Sequence, residues 1–269
     1  MNRGILIYAH NNELINYVAL AKTSAKLATT FLKYPVTLIT DKESADQNED
    51  LSIFENVIFV EKPSSRNRRA INKKVSSFLN SNRNTAWDLT PYDHTLLIDA
   101  DYFVFTNKLN EYWDIDQSFL ISNGSNFFFK EHTGYLDNYI SYQGIPMLWA
   151  TTIMFKKDKQ SKMYFDLVEN IKQEYLYFNL LYNFPIKIYR NDIAFSIADH
   201  ILNGHLKSSN YYLPIINAVP SPSKILKIDS ESGVKVMVNA NEESYVLDIK
   251  GSDIHFMDKE SLIEAIDKI

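Results

Sequence analysis

The stretch from Gly4 to Asp41 leaves this chain few folds to choose from. Gly4 to Ala9 is a short apolar run, broken by His10, Asn11 and Asn12. Apolar positions then return at Leu14, Tyr17, Val18, Ala21, Ala25, Ala28 and Leu32, which is helical spacing with the Asn pair as turn and cap. Pro35 ends the helix, and Val36 to Thr40 reads as a second strand closing on Asp41. Strand, helix and strand in this order form a parallel, right-handed crossover, the seed of an open α/β sheet. Ligands of such sheets sit beyond the carboxyl ends of the strands, so topology alone places His10, Asn11 and Asp41 on a ligand edge. No glycine-rich fingerprint follows Ala9, which weighs against a dinucleotide cofactor.

The middle of the chain reads TLLIDADYFVF, from Thr95 to Phe105. Leu96, Leu97 and Ile98 have the character of a buried central strand, and it stops at two carboxylates, Asp99 and Asp101. Residues two apart on a strand share a face and lie about 6.6 Å apart, so both carboxylates lean toward one point. Two such charges in an apolar setting repel each other and are costly to desolvate unless something cationic joins them. A divalent ion is the simplest candidate, and oxygen ligands favour magnesium, manganese or calcium over a soft metal. The competing reading is a strand end whose carboxylates are merely solvated.

A chain of 269 residues, 45% of them hydrophobic, is long enough to bury a sizeable core. It has no cysteine, which excludes disulfides and thiolate metal sites and favours a reducing compartment. No apolar run reaches membrane-spanning length, and the strand-like start is too short for a signal sequence, so a soluble, cytoplasmic protein is expected. The net charge of −5 hides an asymmetry. From Lys62 to Trp87 there is no acidic residue, while Lys62, Arg66, Arg68, Arg69, Lys73, Lys74 and Arg83 contribute +7. A local cationic surface on an acidic body suggests a phosphate-bearing ligand, against the commoner reading of a solvated face.

The spacing of Ile71, Val75, Phe78 and Leu79 predicts that this basic segment is a helix opened by Pro63, Ser64 and Ser65. Further strands are predicted at Val57 to Val60, Phe119 to Ser122 and Leu148 to Phe155, and a helix after Asp158. Arg190, Asn191 and Asp192 introduce another helix, ending near Gly204. Beyond Pro222 three short strands precede His255 and a last helix from Lys259. One domain spanning 1–269 is expected, with 1–122 as its nucleotide half and 123–269 as acceptor half and β-rich extension.

The β-α-β start, the basic segment, the Asp99-x-Asp101 strand end preceded by LTPYDHTLLI and the late His255 together resemble glycosyltransferases of the GT-A fold, of the type of glycogenin and the bacterial galactosyltransferases. The likeness spans most of the chain and implies a mixed, mainly parallel sheet flanked by helices. It implies a UDP-sugar donor and a manganese or magnesium ion on Asp99, Asp101 and His255. It places Ala9, His10, Asn11, Asp41, Arg66, Arg69, Asn72, Lys73, Asp99, Ala100 and Asp101 around the nucleotide, and Asp192 near the reacting sugar as base or charge stabiliser. Trp149 and Thr151 fall on the acceptor side, where this sequence departs from the family's small-residue strand, and Asp192 lacks the following Gln. Lys259 follows His255 at shorter spacing than the family's phosphate-touching lysine and without its glycine.

The acceptor is open between a saccharide and a hydroxymethylated base in DNA. The second would need base flipping, with Trp149 or Tyr142 as walls. Two other classes compete: a nucleotidyltransferase, disfavoured by the missing glycine-rich triphosphate loop, and a binding domain that kept the fold without the chemistry.

Overall fold

The computed structural model describes residues 1–48, 50–64, 67–71, 74–128, 138–206, 211–240 and 243–266. Its centre is a six-stranded sheet built from β1 (Arg3–Tyr8), β2 (Val36–Thr40), β3 (Asn56–Phe59), β6 (His94–Asp99), β8 (Phe119–Ser122) and β10 (Trp149–Lys156), in the order β3-β2-β1-β6-β10-β8. The first four strands run parallel, and β10 pairs antiparallel with β6 on one side and β8 on the other. Apolar runs become central strands because both faces are covered: Ile5, Leu6, Ile7, Leu96 and Leu97 are fully buried.

The helix Tyr17–Leu32 packs on β1 and β2 through Val18, Leu20, Ala21, Ala25 and Ala28. Its cap is Asn16, whose side chain accepts from Ala19 N, while Asn12 ties the preceding turn by accepting from Leu14 N and Ile15 N. Two further helices, Lys159–Gln173 and Asn191–Leu202, pack against each other, and the second lies on β10. The helix predicted after Asp158 is thus present, with a separate short helix Tyr175–Tyr182 beyond it.

A second sheet joins distant parts of the chain: β7 (Tyr102–Phe103), β15 (Ile254–Phe256), β11 (Ile216–Val219) and β9 (Ser125–Phe127), in that order. The C-terminal part carries the antiparallel meander of β12 (Ser223–Asp229), β13 (Gly233–Ala240) and β14 (Glu243–Lys250), followed by the helix Lys259–Ile266. A mixed, mainly parallel sheet flanked by helices, with a β-rich C-terminal extension, is the GT-A-like architecture expected from the sequence.

One expectation is overturned. The basic segment is not a helix but a hairpin of β4 (Arg68–Ile71) and β5 (Lys74–Ser77), paired antiparallel from Arg68↔Ser77 to Ile71↔Lys74. Four apolar positions in nine residues matched a helical repeat, but β-branched Ile71 and Val75 favour extended backbone. Val75 is also exposed while Ser76 is buried, the alternation of a strand. Arg66, Asn72 and Lys73 lie outside the described residues.

Candidate active site

The site is built where β6 runs out. Asp99 ends the strand, Ala100 and Asp101 turn the chain, and β7 begins at once. β15 then pairs antiparallel with β7, placing His255 opposite Tyr102, and Phe256 N donates to Asp101 O at 3.0 Å. Asp253 clamps this arrangement by accepting from Phe105 N and Thr106 N, both at 2.8 Å. The result is a cluster in which ligand atoms of Asp99, Asp101 and His255 lie within 4.8 Å of one another. That matches the span of about 4 to 5 Å expected across a bound hard cation. The donor set, two carboxylate oxygens and an imidazole nitrogen, fits manganese or magnesium. His255 Nε2 faces both carboxylates, 3.3 Å from Asp101 and 3.8 Å from Asp99. Its Nδ1 is buried and makes no hydrogen bond among the described residues, so no acceptor fixes the ring from behind.

Positive charge converges on the same point. Arg83, from the tight turn Arg83–Thr85, is 6% exposed, contacts Asp99 through one guanidinium nitrogen and donates to Ala150 O through another. Lys259, at the start of the last helix, holds Asp101 Oδ2 at 2.6 Å and donates to Phe256 O at 3.0 Å. Burial pushes the Asp101 carboxyl up, but Lys259 and then His255 outweigh it and hold it far below the usual carboxylate range.

Asp192 lies in the first turn of the helix Asn191–Leu202 and meets the same residue, Ala150, that Arg83 does. Its Oδ1 accepts from Ala150 N at 3.0 Å and its Oδ2 pairs with Arg190 at 2.8 Å. Burial raises its pKa, yet Arg190 and then Arg83 bring it below the ordinary value, so the group is an anion at neutral pH. All these side chains line one cavity of about 220 Å³, together with Tyr8, Asn12, Ser76, Ser77, Asn80, Ala100, Trp149, Thr151 and Asn191.

Of the residues expected from the sequence, the structure therefore gathers Asp99, Ala100, Asp101, Trp149, Thr151, Asp192 and His255 on this cavity. His10, Asn11 and Asp41 are gathered too, but into a buried network outside its lining. His10 Nδ1 meets Asp41 Oδ2 at 2.8 Å, Asp41 accepts from Ser44 N and Ser44 Oγ, and Asn11 N donates to Ser44 Oγ. Burial lowers the His10 pKa more than Asp41 raises it, so the ring is neutral. Ala9 is wholly buried. The hairpin reaches the cavity through Ser76 and Ser77, which Glu13 anchors by accepting from both hydroxyls and from Ser77 N. Arg69 lies on β4. Tyr142 is 76% exposed and outside the cavity lining.

Arg83, Arg190 and Asn191 were not singled out as site residues by the sequence. Arg83 stood in the acid-free segment, but nothing in a short turn says which of seven cations points inward. Lys259 departs from the family's spacing and lacks its glycine, and it reaches Asp101.

No family model and no curated protein matches the chain. Among solved structures it is similar to the galactosyltransferase LgtC in complex with donor and acceptor sugar analogues, at 16% identity over 75% of this chain and 69% of that one, with a TM-score of 0.45. It is also similar to mouse xyloside xylosyltransferase 1, at 10% identity over 79% of this chain and 85% of that one, with a TM-score of 0.47. For the glycosyltransferase GlyE of Streptococcus pneumoniae TIGR4 the values are 12%, 80% and 45%, with a TM-score of 0.43.

Proposed function

We propose that this chain is a metal-dependent glycosyltransferase that moves a sugar from a nucleoside diphosphate sugar, a UDP-sugar in the first instance, to an acceptor hydroxyl. The observation that carries this reading is the meeting of Asp99, Asp101 and His255 with Arg83 and Lys259 in one cavity at the carboxyl end of β6. In the reaction the acceptor hydroxyl oxygen bonds to the anomeric carbon as the bond from that carbon to the diphosphate oxygen breaks; negative charge grows on the departing diphosphate, and the hydroxyl proton ends on that diphosphate or in solvent. Asp99, Asp101 and His255 would hold a manganese or magnesium ion, which when bound supplies Lewis-acid stabilisation of that charge. Arg83 and Lys259 add positive charge at the same end of the cavity.

Asp192 lines the same cavity. As a carboxylate held anionic by Arg190, it suits electrostatic support of an oxocarbenium-like transition state better than proton abstraction. Trp149 and Thr151 are assigned to the acceptor side, and His10, Asn11 and Asp41 shape the nucleotide end from behind the cavity wall. A saccharide hydroxyl and a hydroxymethylated base in DNA are the two acceptors this reading admits. The cationic segment that includes β4 and β5 is what keeps the second in view.

The test is incubation with a panel of nucleoside diphosphate sugars and manganese. Slow release of UDP without acceptor, abolished by chelation, is the expected result. No turnover and no binding of any nucleotide sugar, with metal supplied, overturns it.

A further inference from the structure

The charged residues lining the cavity balance: Asp99, Asp101 and Asp192 stand against Arg83, Arg190 and Lys259. The strand-end carboxylates that need a counter-charge already have one each, Asp99 from Arg83 and Asp101 from Lys259. A divalent cation placed on Asp99, Asp101 and His255 would therefore bring two surplus positive charges into a buried cluster that is formally neutral. Desolvated surplus charge is costly, so the ion needs either an anion entering with it or a cation giving way.

The two cations differ in their freedom to give way. Arg83 is a planar fork, held by Ala150 O as well as Asp99 and walled in at 6% exposure. Lys259 is a point charge on a flexible stem at a helix start, with its side chain 15% exposed, and among the described residues it holds Asp101 and donates to Phe256 O.

Taking the cavity as a nucleotide-sugar site, we propose that Lys259 is a placeholder for the metal ion. It neutralises Asp101 while the cation is absent. When the cation takes Asp101, the Lys259 ammonium leaves the carboxylate and turns to the donor's diphosphate. Metal and diphosphate then bind as one event, because the incoming anion compensates both the ion and the released lysine. Metal alone binds weakly, since it must displace a salt bridge and gains no anion.

Two measurements test this. Manganese is titrated calorimetrically, without nucleotide, into the wild type and into Lys259→Gln. The variant is expected to bind the ion roughly tenfold more tightly, the order of coupling seen between close charge pairs, and to bind UDP more weakly once manganese is saturating. Equal or weaker manganese binding in a folded variant overturns the placeholder role. The second measurement uses wild-type protein and does not depend on the variant's folding. Labelling of Lys259 with an amine-reactive ester, read by mass spectrometry against the exposed Lys224, should rise when magnesium is raised to the high concentration that fills the site without nucleotide, and fall again when UDP follows. Labelling that ignores magnesium overturns the proposal. UDP binding with unchanged metal affinity in the variant removes the placeholder alone, whereas no UDP binding under any condition removes the nucleotide-sugar reading and the proposal with it.

Discussion

His94 gives the sharpest quantitative test of the strand that carries the site. It is the first residue of β6, 1% exposed, with its ring edge-on to Trp113 at 4.8 Å and 89°. Burial lowers its pKa from 6.5 to about 4, Lys156 and Arg3 push the same way, and Asp114 and Asp158 oppose more weakly. Because the folded value lies below the unfolded one, the unfolded chain takes up a proton that the folded chain refuses. Stability is therefore intact above pH 6.5 and is lost as pH falls toward 4. At about 1.36 kcal/mol per pH unit, the full penalty is about 3 kcal/mol, of which about 2 kcal/mol has accrued at pH 5. His10 and His200 are also lowered by burial and act in the same window, so the slope of the wild type alone does not isolate His94. Urea unfolding of wild type and His94→Phe, followed by tryptophan fluorescence at pH 7.5, 6 and 5, does. The variant keeps an aromatic ring against Trp113 and should gain about 2 kcal/mol on the wild type between pH 7.5 and pH 5. Stability curves that stay parallel across that range would refute the buried, neutral His94 and the packing of β6 that enforces it.

Asp101→Asn and Asp99→Asn should each lower metal-dependent UDP release by roughly 100-fold or more, the usual loss when a group that supports transition-state charge is removed; activity within threefold of wild type would exclude them from the reaction. Asp192→Asn leaves Arg190 without its carboxylate, and because Arg190 is partly exposed the cost should be about 2 kcal/mol in urea unfolding, below that of a fully buried pair. No change in stability would show the Arg190 pair to be idle. Binding to duplex DNA carrying hydroxymethylated bases should weaken steeply between 50 and 200 mM salt, about 10³-fold or more for six or more phosphate contacts, if DNA is the acceptor. Salt-insensitive or absent binding in a filter or anisotropy assay assigns the acceptor to a saccharide.

The sheet and its acidic end were legible because their signals are local and redundant. Leu96, Leu97 and Ile98 needed covering on both faces, and Asp99 and Asp101 could not follow them without a partner. The helix opened by Asp192 announced itself through Ile193, Ala194, Ile197 and Ala198. The hairpin at Arg68–Ser77 did not, because two four-residue strands carry too few positions to separate a period of 2 from one of 3.6, and four apolar residues fell on helical spacing by coincidence. What pairs with the acidic end was illegible for a different reason. Arg83 reaches Asp99 from a loop that shows no periodicity, and Lys259 reaches Asp101 only because β15 lies beside β7, a pairing across some 150 residues that no local pattern encodes. His10 and Asp41 were correctly placed at strand ends by topology. Topology does not say whether a side chain there faces a cavity or, as in this pair, closes on its neighbour.

The four-strand sheet that holds His255 also sets an order of completion. A chain emerging from the ribosome has all of β1, β2, β3, β6, β8 and β10 once residue 156 is out, enough to lay down the central sheet. Asp99 and Asp101 would then stand at its edge with Arg83 but without His255 or Lys259, which arrive only with the last segments. The acidic pair therefore meets His255 and its second counter-charge, Lys259, only where β15 lies against β7.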